Sequence, residues 1–321
     1  MLRTIFLLGV AFSTSASATF QPVEVGARTG DILTGAALTS YPNMSRPIFV
    51  SFSPRLIYYN NFLSDAEVEY FKHAATTLRG WNSSETGLVS VYFENDAIHN
   101  NPIVNTVEMR IAAVTGIAPH TDQEPLCIHR IVARPNDPNR VDEIHHDKVN
   151  KPFTTVTVLV YLSDVEEGGE TIFPCHIDPE TKTLCKDSFY GGARWHNGKR
   201  TVVEGQTHWQ GQDKSSRRRS KVEKEMALLK RRANEFCAQE DNKSRVEEAS
   251  LYDRPKGMKV SPKKGSAIIF WHDLPGQNGV GVGDALAWHT GCKVSKGVKW
   301  TMQKFSEVPR MSRARTSQRL P

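Results

Sequence analysis

The hydrophobic pattern of the chain changes period several times, and each change marks an element. In "PRLIYYNNFLSDAEVEYFKHAATTL" an apolar run, Leu56–Tyr59, predicts a short strand. Apolar positions then recur at helical spacing through Val68, Phe71, Ala74 and Ala75, behind a capping box built from Ser64 and Glu67. "NPIVNTVEMRIAAVTG" predicts a second amphipathic helix that ends at Gly116, and "EPLCIHRIVARP" a strand after it. From Phe153 the texture becomes β. "TTVTVLVYL" is a strand-length run of β-branched residues leading into the turn "SDVEEGGE". A second β block comes much later, in "GMKVSPKKGSAIIFW", "DALAWHTGCKV" and "KGVKWTMQKF".

Between the two β blocks, from about residue 176 to 256, the pattern breaks. Loop sequence rich in Gly and Trp gives way to a charged helix, "SKVEKEMALLKRRANEFCAQE". Ser220 and Glu223 form a second capping box there, and Val222, Met226, Leu229 and Ala233 make one apolar stripe. This segment reads as an insertion between two strands of a single domain. The strands themselves are short and separated by turn residues, which predicts a mainly β sandwich or barrel with flanking helices rather than a βαβ fold.

The N-terminus changes the setting. Arg3, an apolar run from Ile5 to Phe12 and a small-residue exit at Ala16-Ser17-Ala18 have the layout of a cleavable signal peptide covering residues 1–18. That run is shorter than the roughly 20 residues of a membrane-crossing helix, so the mature chain is expected to have no membrane span and to enter the secretory pathway. A polar leader (19–46), the main domain (47–307) and a basic tail (308–321) follow. The tail carries no KDEL-type signal, so the endoplasmic reticulum lumen and export both remain open as destinations. An oxidising compartment makes Cys127, Cys175, Cys185, Cys237 and Cys292 candidates for disulfides, with one left over. Cys175 and Cys185 are close enough in sequence to staple a loop. Sequons at Asn43, Asn82 and Asn242 agree with the compartment. The net charge of +6 is ascribed to solvated surface, because Glu residues interleave the basic helix, and no nucleic-acid partner is expected.

Candidate chemistry concentrates in "EIHHDKVN". On a strand, residues i and i+2 share a face, so His145 and Asp147 can bind one cation while His146 points away. A second histidine from another strand would complete the two-histidine, one-carboxylate facial triad of non-haem Fe(II) oxygenases. His289 in "DALAWHTGCKVSKGVKW" is the leading candidate, with Lys299 on the following strand placed to neutralise the far end of a dicarboxylic acid. His272, His176, His196 and His208 are the rivals.

Several segments in order resemble the catalytic domain of prolyl 4-hydroxylases, the Fe(II)- and 2-oxoglutarate-dependent dioxygenases of the secretory pathway. They are "NNFLSDAE", "VTVLVYLSDVEEGGETIFP", "VSPKKGSAIIFW" and "WHTGCKVSKGVKW". The resemblance runs from about Pro47 to Phe305, apart from the insertion. It implies a double-stranded β-helix (jelly-roll) core. His145, Asp147 and His289 would be the iron ligands, Lys299 the grip on the 2-oxoglutarate C5 carboxylate, and Thr171 a residue lining the same pocket. It further implies O2 as co-reactant, L-ascorbate as the reductant that rescues oxidised iron, and a proline-containing polypeptide as substrate, with succinate and CO2 released. The family's tyrosine nine residues before the first ligand is Asn136 here, and its Arg-x-Ser element is not evident around "SETGLVSVYFE". Those departures fall on the substrate side, so a related oxygenase acting on another residue such as lysine, or a non-catalytic binding module on the same fold, are the competing readings.

Overall fold

A computed structural model describes residues 44–52, 54–79, 87–93, 101–118, 124–134, 140–151, 154–176, 194–196, 199–201, 216–238, 258–273 and 283–307. The signal-peptide and tail expectations, the leader up to residue 43, the three sequon asparagines, Cys185, Asn136 and His208 lie outside those residues.

Strands β1 (Ile48–Phe52) and β2 (Arg55–Tyr59) precede helix α1 (Asp65–Arg79), then β3 (Gly87–Tyr92), helix α2 (Pro102–Thr115) and β4 (Cys127–Val132). A four-residue helical turn, α3 (Asp147–Asn150), leads into β5 (Thr154–Tyr161), β6 (Glu167–Gly168) and β7 (Thr171–Phe173). The insertion contributes the hairpin β8 (Arg194–His196) and β9 (Lys199–Thr201) and helix α4 (Ser216–Ala238). The chain closes with β10 (Met258–Val260), β11 (Ala267–Trp271), β12 (Thr290–Gly291), β13 (Val294–Lys296) and β14 (Val298–Glu307).

The main sheet has seven strands in the order β1-β2-β11-β5-β14-β4-β3. Every pairing in it is antiparallel. A smaller sheet, β10-β7-β12, and the pair β13-β6 complete the jelly roll. Directly paired residues share a face, so the register sorts the side chains. One face carries Ile57, Ile269, Val158, Val160 and Met302, packed under α1 and α2 with Val68, Phe71, Val107 and Ile111. The other carries Leu56, Tyr58, Ile268, Phe270 and Tyr161, and the small sheet closes over it with Phe173, Met258 and Val260. Both faces of β5 are covered, which is why "TVTVLVY" carries β-branched or apolar residues on both faces rather than alternating with charged ones.

The local signals explain the helix ends. The Ser64 N–H donates to Glu67 Oε2 at 2.8 Å and the Glu67 N–H to Ser64 Oγ at 3.3 Å, the reciprocal capping box expected of α1. Gly116 ends α2 at φ 73°, a left-handed cap that suits glycine. Arg110 then ties the two helices, with Nη2 donating to Glu67 Oε1 at 2.7 Å and Nη1 to the Phe62 carbonyl at 2.6 Å.

Helix α4 departs from expectation at its start. It begins at Ser216, four residues before the Ser220 expected to cap it. The stripe still docks it: Leu229, Ala233 and Phe236 pack against Val141, Ile144, Ile172 and Trp288. A disulfide, Cys237–Cys292, fixes its last turn to the segment after β12. Cys175 is also disulfide-bonded, and among the described residues Cys127 is free and buried. The 237–292 bridge spans 55 residues. Cys237→Ser is expected to lower stability by up to about 4 kcal/mol, the chain-entropy limit for a loop of that length, measured as a reduced denaturation midpoint.

Candidate metal centre

The segment before α3 and the segment before β12 lie side by side. His145 and His289 form an isolated antiparallel bridge, exchanging N–H···O bonds of 3.0 and 2.9 Å. Asp147 follows at the first position of α3 rather than on a strand. The expectation that strand alternation aligns His145 with Asp147 is therefore corrected. A single bridge followed at once by a helical turn turns both side chains to one side. His146 is the cap of that turn. Its Nδ1 accepts the Lys148 N–H at 3.2 Å and its Nε2 donates to the Asp284 carbonyl at 3.1 Å, so both of its nitrogens serve the fold.

One ligand atom from each of His145, Asp147 and His289 lies within 4.8 Å of the others. His145 Nε2 is 3.5 Å and His289 Nε2 3.8 Å from Asp147 Oδ1. Adjacent donors on an octahedral metal at about 2.1 Å would be about 3 Å apart, so only a small inward movement closes the triad on an ion. The tautomers suit it. His145 Nδ1 is 2.9 Å from the Glu143 carbonyl and His289 Nδ1 is 3.0 Å from the Ala287 carbonyl. A carbonyl only accepts, so each Nδ1 carries the proton and each Nε2 presents a lone pair to the shared point.

Electrostatics agree with a cation site. Burial lowers the His289 pKa to about 3, keeping that imidazole neutral. Burial alone would raise Asp147, yet His289, His145 and His272 around it hold its carboxyl well below the usual range, so it is ionised. Burial would lower His145, but the hydrogen bond and charge of Asp147 outweigh it and raise that group. Two imidazoles and one carboxylate leave the outer part of the site accessible: the His145 side chain is 46 % exposed, those of Asp147 and His289 only 4 % and 7 %. These residues fit a divalent, borderline metal of the Fe(II) type.

His272, one of the rival ligands, is brought close but behind Asp147. Its Nε2 lies 3.2 Å from Asp147 Oδ2, the oxygen turned away from the triad. Among the other rivals, His176 ends a short 3-10 turn and His196 lies on β8, and neither side chain is among those described.

Lys299 projects from β14 onto the inner face and is 5 % exposed. It makes no ion pair within 4.0 Å with any described residue; Asp142 and Glu170 act on it only at longer range, and burial lowers its pKa to about 8. Its ammonium lies 5.7 Å from the Tyr161 ring centre. The Tyr161 hydroxyl donates to Thr171 Oγ1 at 2.8 Å, which leaves the Thr171 proton to be given elsewhere. The turn "EEGGE" makes this closeness feasible. Gly168 and Gly169 have φ 77° and 76°, and a Cβ on Gly168 would stand 2.1 Å from the Lys293 carbonyl oxygen. A Cβ on Gly169 would stand 3.3 Å from the Lys299 stem. Tyr161 was not among the residues singled out from the sequence; its position opposite Thr301 on β14, one pleat from Lys299, places it.

No protein-family model matches the chain. It is 26 % identical over 283 residues to prolyl 4-hydroxylase 1 of Arabidopsis thaliana, an alignment covering 81 % of this chain and 71 % of that one. It is 24 % identical over 277 residues to prolyl 4-hydroxylase 5 of the same plant, covering 81 % and 70 %. Among solved structures it is similar to the viral collagen prolyl hydroxylase of Paramecium Bursaria Chlorella virus-1 in its 2-oxoglutarate complex, at TM-score 0.42 and 16 % identity over 79 % of this chain and 96 % of that one. The curated proteins that the chain is similar to in sequence are thus plant prolyl 4-hydroxylases, at about a quarter identity.

Proposed function

We propose that the protein is an Fe(II)- and 2-oxoglutarate-dependent dioxygenase that hydroxylates peptidyl proline at the 4-position in proteins of the secretory pathway, most simply in the endoplasmic reticulum lumen. One observation carries the reading. A buried lysine with no ion-pair partner among the described residues stands on the same inner face as the His145, Asp147 and His289 triad, and a dicarboxylic cosubstrate satisfies both.

His145, Asp147 and His289 would hold the iron, their three donors on one side leaving the opposite side for cosubstrate and O2. Bound iron supplies the activation of O2 that is coupled to decarboxylation of 2-oxoglutarate to succinate and CO2. The protein binds and aims. The Lys299 ammonium meets the distal carboxylate of the cosubstrate in a buried setting, where a charge-assisted hydrogen bond is strong. Thr171 donates its remaining proton to the same carboxylate, held in orientation by Tyr161. The apolar inner wall, with Phe173 and Phe270 against His289, keeps water from the buried side of the triad. L-Ascorbate would keep the iron reduced.

The test is a panel of prolyl and lysyl peptides incubated with Fe(II), 2-oxoglutarate and ascorbate. A 16-Da gain on proline, matched by succinate, is the expected result. Succinate coupled only to lysyl peptides would reassign the substrate, and failure to bind Fe(II) and 2-oxoglutarate would leave a binding module.

A further inference from the structure

Asp147 has two oxygens and the triad uses one. Oδ1 faces His145 and His289, while Oδ2 accepts from Thr157 Oγ1 at 2.6 Å. Thr157 is also 2.7 Å from His272 Nε2. The threonine has a single proton and it goes to the carboxylate, so His272 must be the donor in that contact. Its Nε2–H therefore points at Thr157 Oγ1 and, at 3.2 Å, at Asp147 Oδ2. Its Nδ1 is buried with no hydrogen-bond partner among the described residues, so the ring is fixed through its other nitrogen. His272 is fully buried, and its backbone N–H is anchored to the Thr155 carbonyl at 2.9 Å. One residue further on, Asp273 forms an ion pair with Lys148, so consecutive residues of α3 are clamped to consecutive residues at the end of β11.

Resting on the triad being the Fe(II) site, we propose that His272 and Thr157 are positioning residues. Together they occupy Oδ2 of Asp147 and hold the carboxylate to one-oxygen coordination of the metal, keeping the remaining coordination positions open for the cosubstrate. A fourth histidine beside a three-ligand site is thereby given a role other than ligation. Without the tie, Oδ2 is free to swing onto the metal and take one of those positions.

The test is titration of Co(II) into the full-length protein, followed by d–d absorption and binding heat, for wild type, Thr157→Val, His272→Phe and His272→Gln. Thr157→Val is isosteric and His272→Phe fills the same space, and the apo melting profile of each checks the fold. Both are expected to weaken Co(II) binding by about 10–100-fold, the usual cost of losing an outer-shell partner, and to change the shape of the d–d envelope. His272→Gln, whose amide N–H reaches the place of Nε2–H, is expected to recover most of the affinity and the wild-type envelope. Unaltered affinity and envelope in folded Thr157→Val and His272→Phe would overturn the proposal while leaving the metal centre intact. If wild type itself binds no Co(II), the metal centre falls, and this inference with it.

Discussion

Asp147→Asn is expected to abolish metal binding and turnover in a protein that still folds. Asp147 is the only ionised group that the triad offers a divalent cation, because His289 is neutral and a ligating His145 must be. Asparagine keeps the volume and the hydrogen bond from Thr157 but removes the charge. The effect should exceed the roughly 10–100-fold loss that follows removal of an outer-shell partner, since here a ligand itself is lost. The same change also carries a stability consequence. The carboxyl of Asp147 is held well below its ordinary pKa, so it stabilises the apo fold above its unfolded-state pKa, and that contribution is lost as pH falls through the folded value. Asp147→Asn should therefore flatten the acid limb of the apo stability curve. Calorimetric Fe(II) binding, succinate production and an apo denaturation series across pH give the three readouts. Undiminished succinate production in Asp147→Asn would remove the triad assignment outright. His146→Ala is the contrast: it should disturb the α3 cap and lower stability, with Fe(II) still bound.

Much of the fold is legible in the sequence because its signals are local. The Ser64–Glu67 box, Gly116 and the β-branched run of β5 each act within a few residues, and each forms as its pattern predicts. The spacing of His145 and Asp147 was informative for a reason other than the one the pattern suggests. Strand alternation is not what aligns them; a bridge to His289 and an immediate helical turn do that, and neither leaves a periodic trace over so few residues. His272 shows a different limit. Its residue type marks it as a ligand rival, but only the three-dimensional path of β11 behind Asp147 assigns it to the second oxygen. Tyr161 is hidden in an apolar run for the same reason, since its hydroxyl acquires meaning from Thr171 on another sheet. The Cys237–Cys292 pairing depends on where α4 docks, which sequence proximity does not encode.

Lys299→Met is expected to make the apo protein more stable and the enzyme nearly inactive. The wild-type ammonium is buried with no ion-pair partner among the described residues, and its pKa falls from 10.5 to about 8. Holding it charged in the fold at neutral pH costs of order 3 kcal/mol on the linkage scale, which methionine of similar length avoids. The sign is testable. Between pH 8 and 10.5 the unfolded chain keeps the proton that the folded chain has released, so wild-type stability rises with pH across that window and is lowest below it. Lys299→Met should lack that slope and lie above wild type at neutral pH. Adding 2-oxoglutarate with Fe(II) should reverse the order, because a ligand that binds only the folded state stabilises wild type and barely touches the variant. Cosubstrate affinity should fall roughly 100-fold, the scale of a charge-assisted bond lost from a buried site. In wild type, kcat/KM for 2-oxoglutarate should decline as the free enzyme loses this proton above pH 8. Lys299→Arg keeps its charge throughout and should remove the decline without removing the cosubstrate. A Lys299→Met protein that is less stable than wild type without cosubstrate, yet retains its affinity, would mean that the buried ammonium serves the fold and that the distal carboxylate is held elsewhere.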